Sequence, residues 1–379
     1  MGQVNLADQP TDDLGNWESE FNSIMNDLRD SDFDYGAGME QAWKESEDGR
    51  VDLLGRDGIS FNEEGLPLLD AYAFDSNNKY LDPSASTGSP LDQAKALLEQ
   101  GGSLSEAGLL LEAAIQKGEL GEGGYETWIL LGETRSMDER EEAGMKALIE
   151  GVRRAEEAGA TGAGMLSLAI SYTNEAFDRA SHATLLRWLR ARFPDYPIPE
   201  SATSSLSRSS WNSYDSVTET FLGLARWQHG QGIVDADVQA ALGILFYSNS
   251  EYERAKDCFE SALSARPDDY LLWNRLGSCL SNGNKPEESL GAYREALRLR
   301  PTYTRVIYNV GVACLNIGAH KEAVEHFLSA LSMQEVPGEK SEQLWFTLRR
   351  AFLAMDRPDL ADMAKTHPNL EVFRSEFDY

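Results

Sequence analysis

Apolar residues in the C-terminal half of the chain recur on two scales. Within a dozen residues they fall three and four apart, which places them on one face of a helix. The whole pattern then returns after 34 residues, three times between positions 236 and 337. Leu242, Leu276 and Val310 share one phase, followed directly by Gly243, Gly277 and Gly311. Ala255, Ser289 and Ala323 form a second small column, and Ala262, Ala296 and Ala330 a third. Phe259, Tyr293 and Phe327 stand three residues before those last alanines. Pro267 and Pro301 close the first two units, and Glu335 takes that place in the third. Each unit therefore reads as two antiparallel helices. Small residues let the backbones approach, and the aromatic fills the space between them.

A 34-residue period with these columns is the tetratricopeptide repeat pattern. One such unit cannot bury its apolar face alone, so units stack into a superhelix. The first helix of each pair lines the concave side. Weaker copies precede the regular three. From Leu91 a first pair places Ala107, Leu111 and Ala114 in second-helix columns. Trp128, Leu131 and Gly132 mark a second unit, and Leu168, Ala169 and Tyr172 a third that ends near Phe193-Pro194. Gly159, Gly162 and Gly164 make a loop between the second and third units. It follows a helix and lacks a terminal Lys-Ser/Thr, so it is not a phosphate loop.

The predicted architecture is an all-α tetratricopeptide-repeat superhelix of two triplets joined by a hinge, with a largely disordered acidic N-terminal arm. The arm covers 1–88 and repeats one to three cover 89–196. A Pro- and Ser-rich hinge or degenerate fourth repeat covers 197–235. Repeats five to seven cover 236–337, and a loop with a final helix at 344–355 falls within 338–379. Residues 1–88 hold 20 Asp and Glu against 5 Lys and Arg and show no sustained apolar period. Such a segment cannot bury enough surface to offset its ordering entropy. One island stands apart. Trp17, Phe21, Ile24, Met25 and Leu28 share one helical face, the form of a segment that folds into a partner's groove. Met39 and Trp43, four apart, make a weaker second island.

Net charge is −29, which argues against a nucleic-acid partner and for basic ones. The N-terminus has no apolar signal core, and no run approaches the ~20 apolar residues of a membrane span. A cytoplasmic protein that reaches membranes through partners is expected. Cys258, Cys279 and Cys314 fall inside repeat helices and read as core residues rather than a metal site or disulfide. None of the five histidines sits in a zinc-hydrolase motif, and no nucleophile elbow or dinucleotide fingerprint occurs. No enzyme activity and no cofactor are expected.

With each repeat numbered from the start of its first helix, positions 2, 5, 6, 9, 12 and 13 face the concave side. Asn174, Asn282 and Asn316 occupy position 13, Asn274 position 5, Asn309 and Arg275 position 6, and Arg305 position 2. An amide donates and accepts at once, which suits a peptide held by its main chain. Arginines suit a carboxylate. Together they describe a pocket for the C-terminal end of a peptide.

These residues carry a resemblance. The sixth unit opens "DDYLLWNRLGSCLSNGN", and the seventh reads "YTRVIYNVGVACLNIGAHKEAVEHFLSALSMQ". With "SYTNEA" at 171–176 and "WESEF" at 17–21, the chain resembles the peroxisomal import receptors for the type-1 targeting signal. The resemblance implies cargo tails ending in Ser-Lys-Leu or similar. It implies that Asn174, Asn274, Asn282, Asn309 and Asn316 bond the signal's backbone and that Arg305 receives its carboxylate. Arg275 stands where relatives often have a lysine, and Asp138 where they have an asparagine. Asp138 then either attracts the signal's lysine or loses a backbone bond. Trp17 and Phe21 resemble the motif that engages docking peroxins, so the resemblance implies a receptor cycling between cytoplasm and peroxisomal membrane. The family's cysteine near the N-terminus has no counterpart here. Two other repeat proteins compete with this reading: a clamp for chaperone tails, and a related adaptor that regulates ion channels.

Overall fold

The computed structural model describes residues 59–62, 65–82, 88–160, 162–208, 213–334, 341–365 and 369–379. Residues 62–379 form one unit, built almost wholly of helices. The first triplet pairs α1 (Pro90–Glu99) with α2 (Leu104–Gln116), α3 (Glu126–Met137) with α4 (Glu141–Glu157), and α5 (Met165–Asn174) with α6 (Asp178–Arg192). A further pair, α7 (Glu200–Arg208) and α8 (Ser213–His229), follows. The second triplet pairs α9 (Ala236–Ser248) with α10 (Tyr252–Ala265), α11 (Tyr270–Asn282) with α12 (Pro286–Leu299), and α13 (Thr304–Asn316) with α14 (His320–Met333). The chain ends in α15 (Glu342–Ala354), α16 (Pro358–Lys365) and a short 3-10 turn at Leu370–Phe373.

The columns read from the sequence are the contacts that hold each pair together. A Cβ on Gly243, Gly277 or Gly311 would overlap the ring of Phe259, Tyr293 or Phe327 respectively. Those three rings and the alanines at 262, 296 and 330 are buried. Asp235 and Asp269 start α9 and α11 by accepting from the backbone N–H groups two and three residues on. The turns inside five of the pairs each carry one left-handed residue: Glu139 (φ 60°), Ala176 (58°), Ser250 (60°), Asn284 (61°) and Gly318 (80°). Four of the five are not glycine, so the stacked helices enforce a conformation that the side chain disfavours.

Three features depart from expectation. First, residues 65–82, which the sequence places in the disordered arm, are packed on the first repeats. Leu66 and Leu69 join the core beneath the third unit, and Tyr72, Phe74 and Tyr80 pack around Trp128, Leu110 and Leu111. Asn78 donates to the Leu109 carbonyl at 2.7 Å, and the Asp75 N–H donates to Glu112 at 2.9 Å. These bonds seat the strap on α2. The Trp17, Phe21, Met39 and Trp43 islands lie outside the described residues. Second, residues 195–208 and 213–235, read as a hinge or a degenerate fourth repeat, are packed into the stack. Val217, Phe221 and Leu224 of α8 are fully buried, and Phe221 stacks on Trp188 of α6 at 6.1 Å. Helix α9 also packs on α5 and α6 directly. Third, α15 is not the last helix. Leu360, Ala361 and Ala364 of α16 cover it, with Phe352 set against Phe373 and Phe377. These residues close the apolar end of the array, as a terminal repeat requires.

The two triplets also meet at their far ends. Arg300 donates to the Leu98 carbonyl, and Thr302 to the carbonyls of Gly101 (3.0 Å) and Gly102 (2.9 Å). Leu104 and Met137 share an apolar cluster with Tyr303, Val306 and Ile307. Among the described residues no helix is long and apolar enough to cross a membrane.

Candidate peptide-binding groove

The closure brings α13 and α11 against the inner helices of the first triplet, and a narrow cavity of about 50 Å³ remains between them. Asn174, Arg275 and Arg305 all line it, with Glu133, Glu141, Ser171 and Tyr303. Three residues singled out from three different repeats thus face one space.

The amides are organised across helices rather than within them. Asn309 on α13 donates to Asn274 Oδ1 at 3.0 Å, and Asn274 donates to the Tyr303 hydroxyl at 3.3 Å. Asn274 is buried and bonded through both its amide nitrogen and its oxygen, so it orients Asn309, the half-buried and reachable member of the pair. Burial pushes the Tyr303 hydroxyl up to about 12, so it stays protonated and fixes the end of this relay. Arg275 donates to Asn174 Oδ1 at 2.9 Å, tying the sixth unit to the third. Asn282 donates to the Tyr247 hydroxyl of α9 at 2.5 Å. Asn316, the last residue of α13, is exposed.

Arg305 is the more constrained of the two arginines that line the cavity. Its Nε donates to the Ser136 carbonyl at 3.0 Å and lies 3.0 Å from Glu139 Oε2, and its Nη2 touches Glu141 Oε2. Burial alone would lower the arginine's proton affinity, but Glu139 and Glu141 more than reverse that, so it stays charged. Glu139 bears the cost. Burial pushes its carboxyl up to about 7; Arg305 opposes the rise, while Glu141, Glu175 and Asp138 add to it.

Asp138 does not face the cavity opening. It is fully buried, with Oδ2 accepting from Ser105 at 2.6 Å and Oδ1 from Thr304 at 3.2 Å. Its backbone carbonyl accepts from Gln334 at 2.6 Å. With both oxygens engaged, it joins the first, second and seventh repeats and offers no oxygen to a peptide lysine. Burial pushes its carboxyl above the usual range, and the Ser105 hydroxyl opposes that rise. Sequence reasoning missed Tyr303, Glu139, Glu141 and Gln334. Only the turn position shared by Glu139, Ala176, Ser250, Asn284 and Gly318 hinted at one of them.

A superhelix of stacked helix pairs with an amide- and arginine-lined inner face defines a tetratricopeptide-repeat protein. The tetratricopeptide repeat family model matches residues 240–304 and 280–340. The chain is similar, more narrowly, to the peroxisomal targeting signal receptors. It is 43% identical over 303 residues to that receptor of Candida albicans, covering 76% of this chain and 50% of that one. To that of Debaryomyces hansenii it is 41% identical over 326 residues, covering 81% and 52%. To that of Eremothecium gossypii it is 36% identical over 383 residues, covering 96% and 61%. The chain thus spans about half the length of the first two of these curated relatives. A solved tetratricopeptide repeat protein from Parabacteroides merdae aligns at a TM-score of 0.35 and 14% identity, over 69% of this chain and 97% of that one.

Proposed function

We propose that this protein is a receptor for the C-terminal Ser-Lys-Leu-type tails of peroxisomal matrix proteins. It takes up cargo in the cytoplasm and brings it to docking peroxins at the peroxisomal membrane. It acts by binding, not by catalysis. The observation that carries the reading is the convergence of Asn174, Arg275 and Arg305 on one cavity, beside the Asn274–Asn309 amide pair. Oriented amides suit a peptide main chain, and two arginines in a half-buried site suit its terminal carboxylate. The family supports the class of ligand. Trp17 and Phe21 would supply the docking contact, as an amphipathic segment that folds into an apolar groove.

The test is a titration of the full chain into a labelled peptide ending in Ser-Lys-Leu, followed by fluorescence anisotropy. Saturable binding that is lost when the last three residues are scrambled supports the receptor. Absence of saturable binding, or indifference to the scramble, contradicts it.

A further inference from the structure

The cavity that would receive a peptide carboxylate already contains carboxylates. Glu139 comes from the left-handed turn after α3 and Glu141 from the first turn of α4, and both reach across to Arg305 on α13. The contacts carry charge but little direction. Glu139 Oε2 and Glu141 Oε2 are buried and neither makes an aligned hydrogen bond. Arg305 spends its Nε on the Ser136 carbonyl instead. A guanidinium fork meets a carboxylate best through two parallel bonds, a geometry that two glutamates tethered to the second repeat do not reach. An untethered carboxylate is free to reach it.

We propose that Glu141, with Glu139, is a resident occupant of the anion position on Arg305, and that a peptide's free C-terminal carboxylate binds by displacing Glu141. The inference rests on the receptor reading and deepens it. Glu141 is built to let go. Its other oxygen accepts from the Ser171 hydroxyl, with Ser136 Oγ at 3.5 Å, so it keeps a partner when the arginine turns away. A site holding Glu139, Glu141 and Glu175 about one arginine would repel an added anion unless one carboxylate left. The resident pair also links the second repeat to the seventh. Exchange therefore frees one tie between the triplets at the moment cargo binds. The competition discriminates as well, because an anion that cannot form both bonds to the fork gains nothing by entering.

Glu141→Gln in the full chain tests this, since the amide keeps an oxygen for Ser171 but gives up the charge. Two readouts are needed. The first is hydrogen–deuterium exchange without peptide, which should rise at residues 134–141 and 304–309 as the tie between repeats weakens. The second is affinity for a Ser-Lys-Leu peptide as free acid and as C-terminal amide. The free acid should bind the variant about threefold to tenfold tighter than the wild type, the scale of one screened ion pair. The amide should bind both alike. Equal or weaker binding of the free acid by the variant overturns the exchange. Unchanged hydrogen exchange overturns the tie between repeats. Absence of binding by both proteins removes the receptor reading and this inference with it, whereas equal binding by both removes the inference alone.

Discussion

The two triplets solve one packing problem with different materials. In the second, each unit repeats one contact: a glycine in the first helix takes the ring of an aromatic in the second. In the first triplet no such ring is shared. Gly132 and Gly144 press backbone on backbone, and Arg135 pairs with Glu112 in the interior at 2.5 Å, both side chains 2% exposed. Tyr72 of the strap donates to that same carboxylate at 2.6 Å. The difference extends to the groove. The second triplet brings Arg275, Arg305, Asn274 and Asn309, while the first brings Glu133, Glu139 and Glu141 beside Asn174. The regular half is a scaffold that carries both arginines of the cavity. The irregular half supplies the counter-charges that the regular half closes upon.

The comparison breaks most easily at the buried pair. Arg135→Ala leaves Glu112 charged and unpaired in the interior and should cost about 3–5 kcal/mol. Replacing both partners with leucine and methionine should cost much less, because no charge is stranded. Urea unfolding followed by tryptophan fluorescence distinguishes the two. Equal losses in the single and double variants would mean that packing, not charge, holds the first triplet.

The second triplet should respond to volume instead. Gly277→Ala drives a methyl group into Tyr293 and should cost about 1–3 kcal/mol. Gly291→Ala, in the same repeat but with no atom within 4 Å of the new Cβ, should gain about 0.5–1 kcal/mol from helix propensity. The same unfolding curves sharpen the contrast, and a neutral Gly277→Ala would show that the glycine column is not a packing requirement.

The smallest effect lies at the seam. The groups facing Glu139 are Arg305, Glu141, Glu175 and Asp138, and burial sets its carboxyl at about 7. A peptide carboxylate that takes over Arg305 draws the cation from Glu139, whose carboxyl then holds a proton more tightly, so binding takes up protons and is favoured as pH falls. A peptide carboxylate, near 3.5 when free, stays ionised throughout. Affinity for an amino-blocked free-acid peptide should therefore rise about twofold to fivefold from pH 8 to pH 6. The amide should show no trend. A flat profile for the free acid would mean that Glu139 does not change protonation on binding.

The regular triplet was legible because its contacts recur at one spacing, so three copies of each column announce one pair of facing atoms. Asn174 and the Asn274–Asn309 pair were picked out for the same reason, through position 13 and the mid-helix asparagines. What the sequence hid was pairing at long range without repetition. Asp138 meets Thr304 from 166 residues away, and Arg305 meets the Ser136 carbonyl from 169. No period relates them, so Asp138 read as a groove residue when it is a buried joint. The strap was hidden by its setting. Tyr72, Phe74 and Tyr80 lie at the end of an acidic segment and pack once, against one-off partners such as Glu112 and the Leu109 carbonyl. Three aromatic residues in nine positions were the only local sign of it.

The central claim is that Arg305 receives the terminal carboxylate of a bound peptide. A double cycle measures that contact directly, with wild type and Arg305→Gln each titrated with a Ser-Lys-Leu peptide as free acid and as amide. The account predicts a coupling of about 1.5–3 kcal/mol, with amidation costing the wild type at least tenfold and the variant almost nothing. Equal losses on amidation in both proteins would place the carboxylate elsewhere and contradict it.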